Sequence, residues 1–458
     1  MWNKLTIYSI NNSNWMKAWM KQFCNSTDLA GAGLYKIRGA TVSRLLQLFL
    51  LLPFSGINIY EFKKTDLPVP GRDAFYRMLN HARYNWRKLI YHIAAKLIAE
   101  FQPLTNANNP RVMIVDDSPY MRNRSKKVEY LGRQHDHSDG SYYRGFRLLS
   151  TGWSDGHSFV PCELELLTNQ DPDKRLGPDP VLDRRSHGGH RSVQATRKAT
   201  DLAEEMIIRG IKNAGHVDYV VFDSWFAHPG LMHRVGKHAP VVCQVKNGPI
   251  IQYRHNKRIY HLQGLYEKVC RLSRRDKKDP IIGSIVVQML SGPDVRVVFL
   301  RDKNRSGKWM ALACTDTTRK PEKICQIYAR RWDIEVFYKM VKQHLGLYDM
   351  EPRSYVSMVA YTSIVFMRYM MFTYYQRLQI DEMTLPGMFR QCAKELQSAT
   401  VEYCLLLLQW EFVTSICKNP MQPVISFLNS FSQRIQDFSN MIRVSLLTNN
   451  QLTINCDS

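Results

Sequence analysis

Two aspartates stand where runs of apolar residues end, in positions that suit metal chemistry. Asp117 follows the apolar run 112–115, and Asp223 closes the run 217–223. We expect each run to be a buried strand, so that each carboxylate is held rigidly at the edge of a sheet. A carboxylate in such a place can bind a hard divalent cation that keeps part of its water shell. Taken singly, each aspartate also suits an ordinary turn or helix cap.

A third carboxylate lies in a predicted helix that begins at Pro321. Along this helix stand Tyr328, Arg331, Glu335 and Lys342, at successive separations of three, four and seven residues. At about 100° per residue these side chains fall within roughly 60° of one face. Glu335 can therefore join a metal site while Arg331 and Lys342 hold phosphates. The same spacing also fits an ordinary amphipathic helix with an i,i+4 Arg–Glu pair.

These four residues resemble the Tyr-Arg-Glu-Lys signature of the IS-four group of bacterial insertion-sequence transposases, a group related to the Tn-five transposase. The resemblance extends over about residues 40–375. Asp117 resembles the first catalytic aspartate of that group and Asp223 the second, while Glu335 is the signature glutamate. Ser118 stands where the family usually has threonine, which keeps the hydroxyl group.

The resemblance implies a DNA transposase that works by cut-and-paste. Asp117, Asp223 and Glu335 would be the catalytic residues and would bind two Mg²⁺ ions, for which Mn²⁺ substitutes. One metal would activate the attacking oxygen and the other would stabilise the leaving oxygen. Water would first nick the transposon end, and the released 3′-OH would act in hairpin formation and strand transfer.

Further residues are assigned to DNA by the same resemblance. Tyr328 and Arg331 resemble the family residues that hold a distorted transposon end, and Lys342 completes the signature. Trp309 lies just upstream of the signature helix, where hairpin-forming members stack an extruded base on tryptophan. A tryptophan in a strand is also a common core residue.

The first aspartate has a neighbour that competes with it. Asp116 directly precedes Asp117, and adjacent residues of a strand face opposite sides, so one of them must point away from the metals. The position of Asp117 directly before Ser118 favours Asp117.

Hydrophobic periodicity predicts an α/β fold, and the resemblance makes its core RNase H-like. We predict helices at 41–52, 73–101, 193–214 and 358–375, with Asp73 capping the second, and strands at 112–115, 143–152, 157–167, 217–223, 240–245, 281–289, 294–300 and 309–315. The predicted regions are a helical DNA-binding region (1–108), an RNase H-like catalytic core (109–245 and 319–375), a β-rich insertion with a cationic loop (246–318), and a helical C-terminal region for dimerisation (376–458).

Four cations in the N-terminal region are interleaved with aromatic residues. They are Arg77, Arg83, Arg87 and Lys88, and we predict that they contact the phosphate backbone of DNA. A solvated helix face would give the same charge pattern. The basic segment 253–278 is the next choice for a DNA-reading surface.

The composition favours a nucleic-acid partner. The 458 residues include 63 Lys and Arg against 40 Asp and Glu, a formal charge of +23. Ten scattered cysteines form no disulfide or zinc pattern, and no secretory signal or membrane span is recognised, which together indicate a reducing bacterial cytoplasm with nucleoid association on DNA. The predicted partners are double-stranded terminal inverted repeats and target DNA, bound by a dimer on paired ends.

Two other functions remain open from the sequence. A catalytically inactive relative could repress transposition by binding DNA, although the complete set of carboxylates argues against it. An RNase H-like nuclease of repair or defence would cut DNA without requiring specific inverted repeats.

Overall fold

The computed structural model describes residues 14–36, 38–55, 70–106, 108–136, 140–273, 279–302, 308–378, 387, 388 and 390. Within these ranges, helices flank one large mixed sheet, which confirms the α/β class. The α-helices are α1 (Asn14–Phe23), α2 (Ser26–Gly31), α3 (Val42–Ser55), α4 (Arg72–Leu79), α5 (Trp86–Phe101), α6 (His187–Gln194), α7 (Ala199–Ala214), α8 (Pro229–Gly236), α9 (Leu262–Leu272), α10 (Pro321–Ala329), α11 (Trp332–Gln343) and α12 (Tyr355–Leu378).

Eleven described strands form this sheet, and all eight predicted strands are found, seven with shifted ends and the strand 281–289 with the predicted ends. The strands are β1 (Val112–Met121), β2 (Gly132–His135), β3 (Tyr142–Ser154), β4 (Phe159–Leu167), β5 (Tyr219–Phe222), β6 (Val241–Val245), β7 (Gln252–His255), β8 (Arg258–His261), β9 (Ile281–Met289), β10 (Asp294–Arg301) and β11 (Trp309–Cys314).

The centre of the sheet has the strand order β4-β3-β1-β5-β6. The first three strands are antiparallel neighbours, whereas β1, β5 and β6 run parallel to one another. Parallel neighbours need a crossover connection, and α7 and α8 provide the helices between these strands. Since β1 and β5 run parallel with Val115 opposite Phe222, this topology places the end of β5 beside the middle of β1.

Strand β1 is longer than the sequence predicts. It continues through Asp117 and Pro119 to Met121, so the predicted strand end before Asp117 is wrong. Beyond Val115, β3 is the only partner of β1 among the described strands, because β5 stops at Phe222. A proline is tolerated there, since its missing amide is not needed on the unpaired side.

The predicted β-rich insertion shares the sheet of the core. Strand β11 pairs antiparallel with β6, and β10, β9, β7 and β8 extend the sheet outward from it. The segment 253–278 is not simply a cationic loop as expected. It contains the β7–β8 hairpin, turned by Asn256 and Lys257 with φ of 48° and 62°, and helix α9; residues 274–278 lie outside the described residues.

The N-terminal helices differ from prediction at one point. The predicted helix 73–101 is interrupted between Leu79 and Trp86, so α4 and α5 are separate. Asn85 caps α5 by accepting a hydrogen bond from the Lys88 amide at 2.9 Å. The predicted cap at Asp73 is wrong, because Gly71 occupies the N-cap position of α4 and Asp73 lies in its first turn.

Helix α12 is the core helix that the apolar run 358–375 predicts. It is long and apolar enough to cross a membrane, yet the apolar stretch that meets this criterion is wholly buried within the protein. The buried Arg368 on this helix donates to the carbonyl oxygens of Leu345 at 2.7 Å and Phe49 at 2.5 Å. These bonds pair the two terminal nitrogens of the guanidinium and tie α12 to α3.

Candidate active site

Two aspartates lie level with each other where β5 ends. The β1–β5 register pairs Val115 with Phe222, so the next residues on the two strands are Asp116 and Asp223. Asp223 follows β5 directly, and one of its carboxylate oxygens accepts a hydrogen bond from the Trp225 amide at 2.9 Å. The end of β5 therefore creates a notch beside β1 in which both carboxylates are fixed by backbone geometry.

The residues of the Tyr-Arg-Glu-Lys pattern do not share one helix. Helix α10 ends at Ala329 and α11 begins at Trp332, which corrects the continuous helix that the sequence predicts. Arg331 stands at the junction, and Tyr328 belongs to α10. The break lets α10 pack against β6 and β11 while α11 packs against β1 and β4.

Arg331 links the helix to the strand. Its guanidinium contacts Glu335 Oε1 at 2.5 Å and Asp116 Oδ2 at 3.3 Å. The hydroxyl group of Tyr338 donates to the backbone carbonyl of Asp116 at 2.8 Å, which fixes α11 against β1. One arginine thus brings the signature glutamate and a strand aspartate to the same place.

Asp117 has a different environment. Its Oδ2 accepts a hydrogen bond from Arg147 Nε at 2.8 Å, and the Arg147 guanidinium lies 5.2 Å from the centre of the Trp225 ring. The geometry favours Asp116 over Asp117 as the partner of Arg331 and Glu335. The sequence argument for Asp117 stays a prediction.

Negative charge is concentrated at this notch. Burial, followed by repulsion from Asp117 and Asp223, raises the pKa of Asp116 to about 8. Burial and then repulsion from Asp117 also raise the pKa of Asp223, against the hydrogen bond from the Trp225 amide. Crowded carboxylates in a low-dielectric site favour a bound cation, since a cation removes the repulsion that disfavours their charged forms.

The donor atoms at the notch fit a hard divalent cation. Asp116, Asp223 and Glu335 supply carboxylate oxygens, the ligands that Mg²⁺ prefers. Within the described ranges, no three His, Cys, Asp or Glu side chains are already gathered closely enough to hold a metal. Arg331 instead pairs with Asp116 and Glu335, and Arg147 pairs with the neighbouring Asp117.

The other two signature residues point toward the same region. Lys342 donates from Nζ to Ser118 Oγ at 2.7 Å, next to the aspartates of β1, and burial lowers its pKa. The hydroxyl group of Tyr328 lies 3.2 Å from Gln244 Oε1 of β6, and burial raises the pKa of Tyr328 to about 12. The structure therefore places all four residues along the edge where β1 and β6 approach α10 and α11.

Trp309 is less available than the resemblance implies. It lies at the start of β11, half-buried, and one face of its ring stacks on Tyr266 with centroids 4.5 Å apart and planes at 13°. Phe299 meets it edge-on at 5.5 Å. These contacts make Trp309 part of an aromatic cluster of the outer sheet, and its role as a base platform stays a prediction.

Two of the predicted DNA-binding cations line a groove. Arg77 and Arg83 are exposed and lie with Lys36 and Arg38 around a depression of about 750 Å³, which we call the N-terminal groove. The rings of His81 and Tyr84 stack at 4.0 Å in its wall. Burial and then the Arg77 charge lower the pKa of Lys36, so this groove concentrates positive charge.

The structure contradicts the prediction that Arg87 contacts the phosphate backbone of DNA. Its guanidinium points into the protein, where it contacts Glu163 at 2.8 Å and also binds Glu165, while the adjacent Lys88 remains exposed. Both glutamates lie on the buried strand β4 and have fully buried side chains. The solvated or DNA-facing position expected of Arg87 is therefore wrong.

Sequence reasoning missed the ion cluster to which Arg87 belongs. Arg209 contacts Glu163 at 2.9 Å and Arg191 contacts Glu165 at 3.3 Å, so three arginines from α5, α6 and α7 meet two carboxylates of β4. The sequence pattern of Glu163 and Glu165 could have revealed this cluster, because acids two residues apart within an apolar strand face the same side. Two buried acids on one face require cations from the elements that cover them.

Comparisons with known proteins are consistent with this geometry. A family model described as DDE superfamily endonuclease matches residues 50–259, and one described as transposase DDE domain matches residues 187–371. The first match contains both candidate aspartate positions, and the second contains Asp223 and Glu335. Together they support a DDE transposase.

Two other comparisons add little. No curated protein matches the chain. A solved structure of the Drosophila P element transposase strand transfer complex aligns over 84% of this chain and 97% of that chain, with 10% identity and a TM-score of 0.21. A likeness of that size carries no argument about fold or function.

Proposed function

We propose that this protein is a DDE transposase that cuts and joins DNA with divalent metal ions bound by Asp116, Asp223 and Glu335. The observation that carries the proposal is the register of β1 and β5, which sets two aspartates level at the notch where Arg331 presents Glu335. The order β4-β3-β1-β5-β6, with three antiparallel strands followed by two parallel ones, supports an RNase H-like core.

The carboxylates would hold two Mg²⁺ ions, or Mn²⁺ in their place. Once bound, this pair would lower the pKa of the attacking water and neutralise charge on the leaving oxygen. Asp116 and Asp223 are held by neighbouring strands, so they keep their separation while DNA binds. Arg331, released from the carboxylates by competition with metal, would be available to a phosphate group.

Lys342 and Tyr328 would position the DNA strand along the same edge. The ammonium group of Lys342 lies beside Ser118, where β1 extends beyond β5 and, within the described ranges, has no partner strand on that side. An ammonium group there can hold a phosphate next to the one being cut. Tyr328 lies under Arg331, with the guanidinium 5.9 Å from its ring, and keeps that arginine directed toward the notch.

The substrate that we propose is the pair of terminal inverted repeats of an insertion sequence, followed by target DNA. A dimer that bridges the two ends would let both be cut in one complex. The apolar segments 403–412 and 424–431, which predict the dimer contact, lie outside the described residues. The Tyr-Arg-Glu-Lys signature supports the IS-four group as the finer assignment.

The proposal is tested with the full-length chain and duplexes that carry the ends of the flanking element. We expect Mg²⁺-dependent nicking at the junction between element and flank, and transfer of the released 3′-OH into a second duplex. Binding without cleavage in Mg²⁺ or Mn²⁺ would contradict the proposal in favour of a repressor. Cutting of unrelated duplexes at the same rate would contradict it in favour of a general nuclease.

The N-terminal groove is expected to hold the DNA backbone. Replacing Arg77 and Arg83 together with alanine should remove two phosphate contacts, which reduces the slope of log affinity against log salt by about 2. The measurement is a series of binding isotherms for end DNA at several salt concentrations. Lys212→Ala, at an exposed position in the last turn of α7, is the control and should leave the slope unchanged; an unchanged slope for the double variant would move the DNA surface elsewhere.

A further inference from the structure

The α10–α11 junction is anchored to the turn between β3 and β4, which comprises residues 154–158 and which we call the β3–β4 turn. We propose that the two anchoring residues, Arg330 and Asp333, are positioning residues for the candidate site, because they set the direction in which the junction presents Glu335. The inference rests on the function proposed above. Neither anchoring residue belongs to the Tyr-Arg-Glu-Lys pattern.

The junction lacks a local cap that could fix its shape. Arg331 occupies the N-cap position of α11 with helical φ and ψ of −55° and −28°, and among the described residues its side chain makes no capping hydrogen bond. The Arg331 amide donates to the Tyr328 carbonyl at 2.9 Å, and the Asp333 amide donates to the Arg330 carbonyl at 3.0 Å. Such short-range bonds tighten the chain but leave the angle between the helices to contacts from other elements.

Asp333 is the first anchor. Its Oδ2 accepts a hydrogen bond from the Ser154 hydroxyl group at 2.5 Å, and the same Ser154 oxygen accepts from the Gly156 amide at 3.0 Å. Ser154 is fully buried, so water does not compete for this bond. Asp333 and Glu335 are two residues apart on α11, which turns their side chains about 200° from each other. Asp333 therefore faces the β3–β4 turn while Glu335 faces the notch.

Arg330 is the second anchor. Its Nη1 donates to the Gly156 carbonyl at 3.0 Å. Gly156 has a φ of 85°, and a Cβ atom on this residue would lie 2.0 Å from the guanidinium carbon of Arg330. Glycine thus serves both the left-handed backbone and the close approach of the arginine. The guanidinium has its place only because this position carries no side chain.

The β3–β4 turn is itself firmly held by Asp155, whose side chain is fully buried. Its Oδ1 accepts from the amides of His157 at 2.9 Å and Ser158 at 2.8 Å. Its Oδ2 accepts from Arg377 Nη2 at 3.0 Å, and the Thr105 hydroxyl group lies 2.6 Å from the same oxygen. Arg377 belongs to the last turn of α12, and Thr105 follows the helical segment after α5. The anchors therefore tie the junction to a turn that is fixed from two other sides.

The two anchors lie on either side of Arg331. Arg331 pairs with Glu335 at 2.5 Å and with Asp116 at 3.3 Å, so it determines how closely the two carboxylates approach. A long side chain holds such a geometry only when its backbone is fixed, and a misplacement of about 1 Å is costly at a functional site. Loss of Arg330 or Asp333 as an anchor would move Glu335 relative to Asp116 without removing a carboxylate from the notch.

The affinity for Mn²⁺ measures how well the carboxylates converge. Full-length protein is bound to an end duplex that is already cut at the 3′ end of the element, so that nicking does not contribute, and free Mn²⁺ is measured by EPR. Asp333→Ala and Arg330→Ala are each expected to weaken Mn²⁺ binding about tenfold, as removal of a residue that supports a metal ligand does. Asp333→Asn keeps an oxygen for the Ser154 hydroxyl group and should restore most of the affinity. Because asparagine also lacks the charge, this rescue separates position from charge.

Gly156→Ala tests the Arg330 anchor from the other side. Its methyl group would displace the Arg330 guanidinium, so it should weaken Mn²⁺ binding as Arg330→Ala does. The double variant should bind no more weakly than either single variant, because both substitutions remove the same contact. Arg87→Ala is the control for lost stability, since it breaks a buried ion pair between α5 and β4 and should still bind Mn²⁺ as wild type does.

Three results would overturn the proposal. The first is wild-type affinity for Mn²⁺ in both Asp333→Ala and Arg330→Ala. The second is an equal loss of affinity in Arg87→Ala, which would make stability the cause. The third is an equal loss in Asp333→Asn and Asp333→Ala, which would make the charge of Asp333 the cause in place of its anchoring bond.

Hydrogen exchange of residues 331–336, measured without metal, separates this inference from the proposed function. Loss of an anchor should speed exchange of these amides more than Arg87→Ala does. If Asp223→Asn binds Mn²⁺ as wild type does, the notch holds no metal; the proposed function then fails, and faster exchange in Asp333→Ala would leave the positioning role standing. If wild type binds Mn²⁺ at the notch and the anchor variants neither lose affinity nor exchange faster, the positioning proposal fails alone.

Discussion

Asp116→Asn and Asp223→Asn are each expected to reduce Mg²⁺-dependent cleavage of end DNA by on the order of 10³-fold. Each substitution keeps the shape of the side chain but removes one negative charge and one metal-binding oxygen from the notch. End binding should change little, because the cationic groove around Arg77 and Arg83 is untouched. Single-turnover nicking and anisotropy with the same duplex measure the two effects separately.

Asp117→Asn is the matched control for Asp116→Asn. The two residues are adjacent on β1, but Asp116 contacts Arg331, whereas Asp117 contacts Arg147. We expect the Asp117 variant to lose far less activity, about tenfold, through a misplaced Arg147 and Trp225. Inactive Asp117→Asn together with normal cleavage by Asp116→Asn would contradict the assignment of the metal to Asp116. That result would support Asp117, the residue that the sequence favours.

The position of the candidate site was predictable in part, because it depends on local pattern. The apolar run that closes at Asp223 predicts a strand end, and β5 ends directly before that residue, whereas its neighbour β1 continues past Asp117. Which of Asp116 and Asp117 faces the helix was not predictable. That choice depends on how far β1 continues past β5, which tertiary pairing decides.

The break between α10 and α11 is a second feature that the sequence could not predict. Spacings along Tyr328, Arg331 and Glu335 are consistent with one helix, because each half separately has helical periodicity. The two halves pack on different strands of the sheet, and one straight helix could not follow both. Arg331 still reaches Glu335, since the pair lies within one turn on the C-terminal side of the break.

The solvent exposure of Trp309 and Trp225 could not be predicted from the sequence. The resemblance assigns the base platform to Trp309, yet its ring stacks on Tyr266 in the outer sheet. Trp225 carries no motif of its own, yet it is 40% exposed just after the end of β5. Solvent exposure of an aromatic ring is a property of packing, so local pattern cannot reveal it.

Arg87→Ala is expected to lower the free energy of unfolding by about 3 kcal/mol, because it leaves the buried carboxylates of Glu163 and Glu165 with less positive charge. Lys88→Ala, one residue further along α5, should change stability by no more than about 0.5 kcal/mol, since Lys88 is exposed. Urea unfolding followed by tryptophan fluorescence measures both variants, and a shifted midpoint with an unchanged slope identifies a stability effect.

For DNA binding we expect the reverse order, with Lys88→Ala having the larger effect and Arg87→Ala the smaller. Lys88→Ala removes an exposed cation from the helical region and is expected to weaken end binding at low salt, while Arg87→Ala, assayed where it is fully folded, should bind nearly as wild type does. Arg87 instead joins α5 to β4 through Glu163 and Glu165, as Arg209 and Arg191 join α7 and α6 to the same strand. If Arg87→Ala unfolds like wild type and binds DNA poorly, its guanidinium contacts DNA in solution, and the buried cluster does not hold the N-terminal helices on the sheet.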